Sequence, residues 1–463
     1  MKDLKKYYFF TGLVTILGLI SLAILFYRER VIFSDSAFLV VYLLIEHHVY
    51  EMPLRIGASI PQFIPLSAIL LHFSLKVVLL LQSVSTQLLY LLLYFLAYRF
   101  SKKRVLFLLI PINLVLLVNE VFFWPISEVQ QGLIWLCLYA VILFEKTCDS
   151  SSLWKSLCFH TLVIAWVQFL HPLLFFPIVF LVIYFYEFDS HLFTRKSLYH
   201  IAICLIVFGT RYQLGANNWY ESGKFNLMPA LTNHLPHFFE LGSVMIFIRK
   251  LASDYLIYIV LLTASLVWLL IHKFYLRFLT LAVFSAGYWM LIMISSPDDA
   301  RFYTENMLLP LGFMVALPIV ADILSSLQPK FMPFILLIFM IIRIGYICHS
   351  HIDYTDRFTI YDPYFNYLHQ NKLNGVIVDE KLIDQKKAIV TWSSGYESIL
   401  LSSLRSADSC MVVQIDGDTA HYTEHMNSDT TLITKYKVWE KSRLPQEYIK
   451  LRGKKYEVLT KQP

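Results

Sequence analysis

Few side chains in this sequence pair reactive chemistry with a position that an apolar environment makes costly, and those few bound what the chain can do. Asp35 stands in Ile32-Phe33-Ser34-Asp35-Ser36-Ala37, just after the first long apolar run. A carboxylate there can accept a proton from a hydroxyl group. The same residues also make an ordinary helix start, with Ser34, Asp35 or Ser36 as the cap. Glu120 and Glu128 flank Pro125 at a helix break. They can bind a substrate hydroxyl or a hard divalent cation, or Glu128 can simply occupy the favourable first turn of the next helix. In Asp298-Asp299-Ala300-Arg301-Phe302, Arg301 suits a phosphate, which arginine binds through two N–H donors. Asp299 either joins that ligand or forms a surface ion pair of little weight. His171, before Pro172, reads as a base, a ligand or a turn cap. Arg211 follows an apolar run and reads as a phosphate contact or a membrane-surface anchor. Arg343 lies inside a late apolar run and there needs a carboxylate, a carbonyl or a lipid phosphate.

The elements that carry these residues are apolar. Of 463 residues, 57% are hydrophobic and 16% charged, against roughly 25% charged in a soluble domain, so lipid is the expected solvent. Runs near the ~20 residues that a bilayer requires fall at 8–27, 77–98, 105–118, 130–144, 157–169, 172–186, 198–210, 255–271, 278–294, 307–324 and 331–347. They predict an α-helical polytopic membrane protein with about eleven transmembrane helices. The net charge of +6 sits mostly in short loops: Arg99 to Arg104, Lys146 with Lys155, Arg195-Lys196, Lys273 with Arg277, and Lys330. The positive-inside rule puts these loops and the N-terminus in the cytoplasm, so the charge is no sign of nucleic-acid binding. With an odd number of spans the tail then lies outside, although Arg28 and Arg30 fall on the outer side as well.

Residues 1–350 form the membrane module and 351–463 a tail of ordinary polar composition. Within the loop at 28–76, the stretches 37–45 and 63–75 predict helices lying in the membrane interface. In the tail, 376–378, 388–392 and 411–415 read as strands, and 398–404 and 446–451 as helices. A small α/β domain with Trp392 and Val412 buried follows. The six cysteines show no paired spacing. No phosphate-binding loop, dinucleotide fingerprint, zinc-protease motif or nucleophile elbow is present. The sequence therefore assigns no cofactor; a divalent cation on the carboxylates is the one candidate.

The order of these features resembles the GT-C superfamily of polytopic membrane glycosyltransferases. Asp35 after the first span, the long loop at 28–76, Asp299-Ala300-Arg301-Phe302 before a late span, and the soluble tail correspond in sequence order. The resemblance implies a sugar donor carried on a polyprenyl phosphate and a membrane-lipid, glycan or protein acceptor outside the cytoplasm. It implies Asp35 as catalytic base and Arg301 as the group holding the lipid phosphate. Many members carry a second acid beside the first, whereas here Ser36 follows Asp35, leaving Glu120 or Glu128 to supply it. Trp392-Ser393-Ser394-Gly395-Tyr396-Glu397 resembles a segment in tails of bacterial membrane proteins, which implies a bacterial source; with the GT-C resemblance, this implies an inner-membrane location and a cell-envelope role. Two alternatives remain: a polymerase or ligase of lipid-linked polysaccharide, and a transporter or flippase, which commonly shows the inverted repeat absent here.

Overall fold

The computed structural model describes residues 2–102, 104–145, 153–189, 194–218, 221–222, 227–297, 301–327, 329–406, 410–425, 431–451 and 455–461. Asp299, Lys103 and Lys146 lie outside them.

The membrane module is helical. In chain order it contains α1 (Lys2–Leu25), α2 (Tyr27–Val31), α3 (Ser34–Glu46), α4 (Phe63–Leu70), α5 (Leu75–Phe100), α6 (Leu109–Asn113), α7 (Glu128–Phe144), α8 (Leu153–Gln168) and α9 (Phe175–Phe188). It continues with α10 (Arg195–Ala216), α11 (Leu227–His234), α12 (Gly242–Ser253), α13 (Leu256–Ile271), α14 (Tyr275–Ser295), α15 (Phe302–Pro318), α16 (Leu324–Ser326) and α17 (Met332–His349). Among the described residues five helices are long and apolar enough to cross a membrane, beginning at Leu4, Leu75, Tyr275, Phe302 and Met332. A sixth results if α12 and α13, bent by 86°, count as one broken span. The about eleven expected spans exceed this number because several of the remaining apolar helices are short, such as the 17-residue α7 and the 14-residue α9. Large apolar side chains point outward from α1, α14 and α17, among them Phe10, Val283 and Phe334. Such surface is stable against lipid and a liability in water.

The run at 105–118, expected as a span, is not a continuous helix. It forms a 3-10 turn at Leu106–Leu108, the five-residue α6 and further turns. Pro111 has no N–H to continue a helical ladder. The segment is apolar because protein encloses it: α1, α5, α7 and α15 pack around it. Irregular backbone buried this way needs partners for its polar groups, and two buried arginines supply them. Arg343 donates to the carbonyls of Val115 (2.9 Å) and Val118 (3.0 Å), to the Asn119 side chain and to the Asp254 carbonyl. Arg30 donates to the Phe122 carbonyl and to Ser83. Carbonyls therefore answer the need that the sequence posed for Arg343.

The tail begins with α18 (His351–Arg357) and α19 (Asp362–Asn371). It then alternates β1 (Gly375–Asp379), α20 (Gln385–Ala388), α21 (Ser394–Arg405), β2 (Val412–Asp416), β3 (Thr431–Ile433), β4 (Val438–Glu440) and β5 (Tyr456–Leu459). A parallel sheet runs in the order β2-β1-β5, and β3 pairs antiparallel with β4. Val376, Ile377 and Val378 are wholly buried, as a central parallel strand requires. Gly375 is obligatory there, since a Cβ would lie 2.7 Å from the Val412 carbonyl oxygen.

Three tail expectations are corrected. Residues 388–392 are not a strand: Ile389 has φ 59°, outside the β region. Residues 446–451 are not a helix but a turn in which Tyr448 and Ile449 both donate to the Pro445 carbonyl. Trp392 is half-buried, its ring against Tyr436, while Val412 is buried. The helix expected over 37–45 exists as α3, but its apolar surface faces protein. Leu39, Val40, Leu43 and Leu44 join one hydrophobic core with α4, the start of α5 and the tail.

Candidate functional site

Asp35 sits in the first turn of α3, half-buried. It is not the cap: that position is Phe33, whose side chain makes no capping hydrogen bond. Ser34 has φ 48°, a left-handed conformation that costs a non-glycine residue on the order of 1–2 kcal/mol. The tail holds it there. The Ser34 N–H donates to Glu397 Oε1 at 2.9 Å. Glu397 is wholly buried, also accepts from Ser393 Oγ and Tyr361 OH (2.8 Å), and pairs with Arg357 at 2.6 Å. The N-termini of α3 and α21 thus meet around one carboxylate, favoured by both helix dipoles.

Arg301 is the residue preceding α15, and one of its nitrogens donates to the Lys386 carbonyl of the tail at 3.0 Å. The next two residues reach the Asp35 stretch. Phe302 packs edge-on against Phe33 with ring centres 5.0 Å apart, and Tyr303 OH lies 3.5 Å from Ser34 Oγ. The two segments singled out in sequence, 266 positions apart by residue number (301 − 35), therefore face each other. Trp124 packs against Phe302 and Tyr303 and forms a further wall. On the other side of α3, burial and then the Asp35 carboxylate push the Tyr50 phenol above its ordinary value.

Behind this junction lies a buried acid that the sequence reading passed over. Glu305 accepts backbone N–H bonds from Asn119 (2.7 Å), Glu120 (3.3 Å) and Val121 (2.9 Å), and the Tyr255 hydroxyl at 2.5 Å. It completes what Arg343 and Arg30 begin: the arginines meet the loop's carbonyls and Glu305 its amides. Glu120 pairs with Lys250 at 2.6 Å.

Glu128 belongs to a separate buried cluster. It stands in the first turn of α7, capped by Ser127, and pairs with Arg55 Nη1 at 3.2 Å. Arg55 Nε also reaches Glu221 Oε1 at 3.0 Å, and Glu221 Oε2 lies 2.6 Å from Arg211. All four side chains are at most 5% exposed. Two acids balance two bases, so the cluster is neutral as a whole. Arg211 is thereby a buried partner of Glu221 and not a surface anchor. His171 caps the turn at Pro172–Leu174, its Nδ1 accepting from the Leu173 N–H.

The structure thus brings the segments of Asp35 and Arg301 together, joins Glu120 to Lys250, and groups Glu128 with Arg211 elsewhere. Glu397, Glu305, Glu221, Arg55 and Lys250 are the charged groups that sequence reasoning missed. Glu397 lay in a stretch already singled out, and Glu305 four residues beyond Arg301, but their partners were not local. Among the described residues no three His, Cys, Asp or Glu side chains converge as ligands for a metal ion. Compared with protein-family models, with curated proteins and with solved structures, the chain finds no match.

Proposed function

We propose that this protein is a GT-C-like membrane glycosyltransferase of a bacterial inner membrane. On this reading it moves a sugar from a polyprenyl-phosphate donor to a lipid, glycan or protein acceptor outside the cytoplasm. The observation that carries the reading is the meeting of Phe33-Ser34-Asp35 with Arg301-Phe302-Tyr303. It brings the segment that carries a carboxylate able to take a hydroxyl proton against the segment that carries a guanidinium suited to a leaving phosphate. Strain at Ser34, immediately before Asp35, supports it, because strained backbone tends to cluster at functional sites. On this reading the basic loops and the N-terminus are cytoplasmic, and this site and the tail lie on the outer face. The test incubates membranes containing the protein with polyprenyl-phosphate sugars of several hexoses and pentoses, labelled in the sugar. Transfer to an endogenous acceptor, absent from membranes lacking the protein, is expected. Equal labelling in both membranes would refute the reading.

A further inference from the structure

The C-terminal edge of a parallel sheet is where open α/β folds bind ligands, and the tail has a cavity of about 390 Å³ beside that edge. The volume falls within the roughly 300–1,000 Å³ of small-molecule sites. Its wall includes Tyr422, Thr434, Lys435 and Tyr436. Asp416, the last residue of β2, lies behind this wall and organises it. Its carboxylate accepts from Tyr422 OH at 2.6 Å and pairs with Lys435 at 3.3 Å. Burial alone would raise the Asp416 carboxyl, but the Tyr422 bond, the Asp418 N–H and Lys435 hold it below its ordinary value, so it is ionised at neutral pH.

Tyr436 is 69% exposed, a large aromatic surface left in water at the cavity mouth. The Trp392 ring stands 5.4 Å from it, tilted by 53°. We propose that this cavity binds an uncharged saccharide. Tyr436, backed by the Trp392 ring, offers a flat apolar face to the C–H side of a sugar ring, and Lys435, Tyr422 and His421 offer hydrogen bonds to its hydroxyl edge. The ligand is uncharged because the two lysines of the wall are already paired, Lys435 with Asp416 and Lys437 with Glu46. A carboxylate already neutralises each of them, so an anion gains little charge attraction there. The cavity is also linked to the Asp35 turn. Phe38, one turn beyond Asp35, packs on Tyr396, and the Tyr396 hydroxyl accepts from Thr434 in the cavity wall. If the transfer reading above holds, the bound saccharide is the acceptor.

The test measures binding without transfer, so its failure leaves the transfer reading standing and the reverse. Purified full-length protein in lipid nanodiscs is titrated into fluorescently labelled neutral tetrasaccharides of hexose and of N-acetylhexosamine, and polarisation is read. Saturable binding of at least one is expected, weakened about tenfold or more by Tyr436→Ala and by Lys435→Ala, and retained in Trp392→Phe. The exposure of Tyr436 means that its variant keeps the wild-type melting temperature, which is checked alongside. The proposal is overturned if neither neutral probe saturates, including where a labelled uronic-acid tetrasaccharide titrated alongside them does, or if Tyr436→Ala binds like wild type.

Discussion

Glu397 Oε1 accepts a hydrogen bond from the backbone N–H of Ser34 at 2.9 Å, across 363 positions of sequence. Through this bond the C-terminal tail fixes the first turn of α3, and with it Asp35. The tail is therefore part of the framework of the candidate site. Because Glu397 is the charged partner of buried Arg357, its loss leaves a guanidinium without compensation.

Glu397→Ala is accordingly expected to destabilise the protein by about 3–5 kcal/mol, the usual result of removing one member of a buried pair. Adding Arg357→Met should restore part of the loss, since no unpaired charge then remains. Thermal unfolding of wild type, Glu397→Ala, Arg357→Met and the double variant in detergent, read as a double-mutant cycle, checks this. Equal stability of single and double variants would show that the ion pair is not what holds the tail.

The Arg55–Glu221–Arg211 bridge gives a second stability expectation. Glu221 serves two arginines and Glu128 only one. Glu221→Gln should therefore destabilise the protein more than Glu128→Gln, by a margin of about 1–3 kcal/mol in thermal unfolding. The reverse order would mean that the cluster draws its stability from elsewhere.

The sequence made the helices and the central strands of the tail legible because hydrophobic periodicity and length are local. Asp35 and Arg301 were legible because charges beside apolar runs are costly and therefore few. The break at 105–118 was not, since a run buried in protein and a run buried in lipid have the same composition; Pro111 was its one local sign. Glu305 and Glu397 were not, because a carboxylate becomes an anchor only through distant backbone amides. Trp392 read as core, yet its neighbour is an exposed tyrosine that no periodicity ties to it.

Docking of the tail should depend on pH. Burial would raise the Glu46 carboxyl, but Lys437 and Arg443, at 3.1 and 2.5 Å, outweigh it and hold it below its ordinary value. A carboxylate depressed in the folded state adds stability above its unfolded pKa of about 4, and that stability is lost as pH falls through the folded value. Asp416 behaves alike. The melting temperature should hold from pH 7 to about 5 and fall below pH 4, and Glu46→Gln should flatten that decline. Because Lys437 and Arg443 are partly exposed, the Glu46 contribution should also shrink in molar salt. A decline unchanged in Glu46→Gln would assign it to other groups.

Asp35 gives the most direct test of function, and the structure sharpens it. Phe33 is the cap of α3, so Asp35 does not cap the helix, and its charge in the first turn adds about 0.3–1 kcal/mol. Asparagine at this position keeps the size and loses the charge. Asp35→Asn should insert normally, with the lost first-turn charge costing about 0.3–1 kcal/mol of stability. If Asp35 is the base, transfer should fall by two or more orders of magnitude, the usual contribution of a positioned base. Arg301→Lys keeps a positive charge but loses the planar pair of donors that phosphate prefers, so a smaller loss is expected, expressed in donor affinity. Transfer by membranes with equal protein levels and saturating donor separates these outcomes. Wild-type rates in Asp35→Asn would remove Asp35 as the base and leave Glu120, held by Lys250 near the same junction, as the next carboxylate to test.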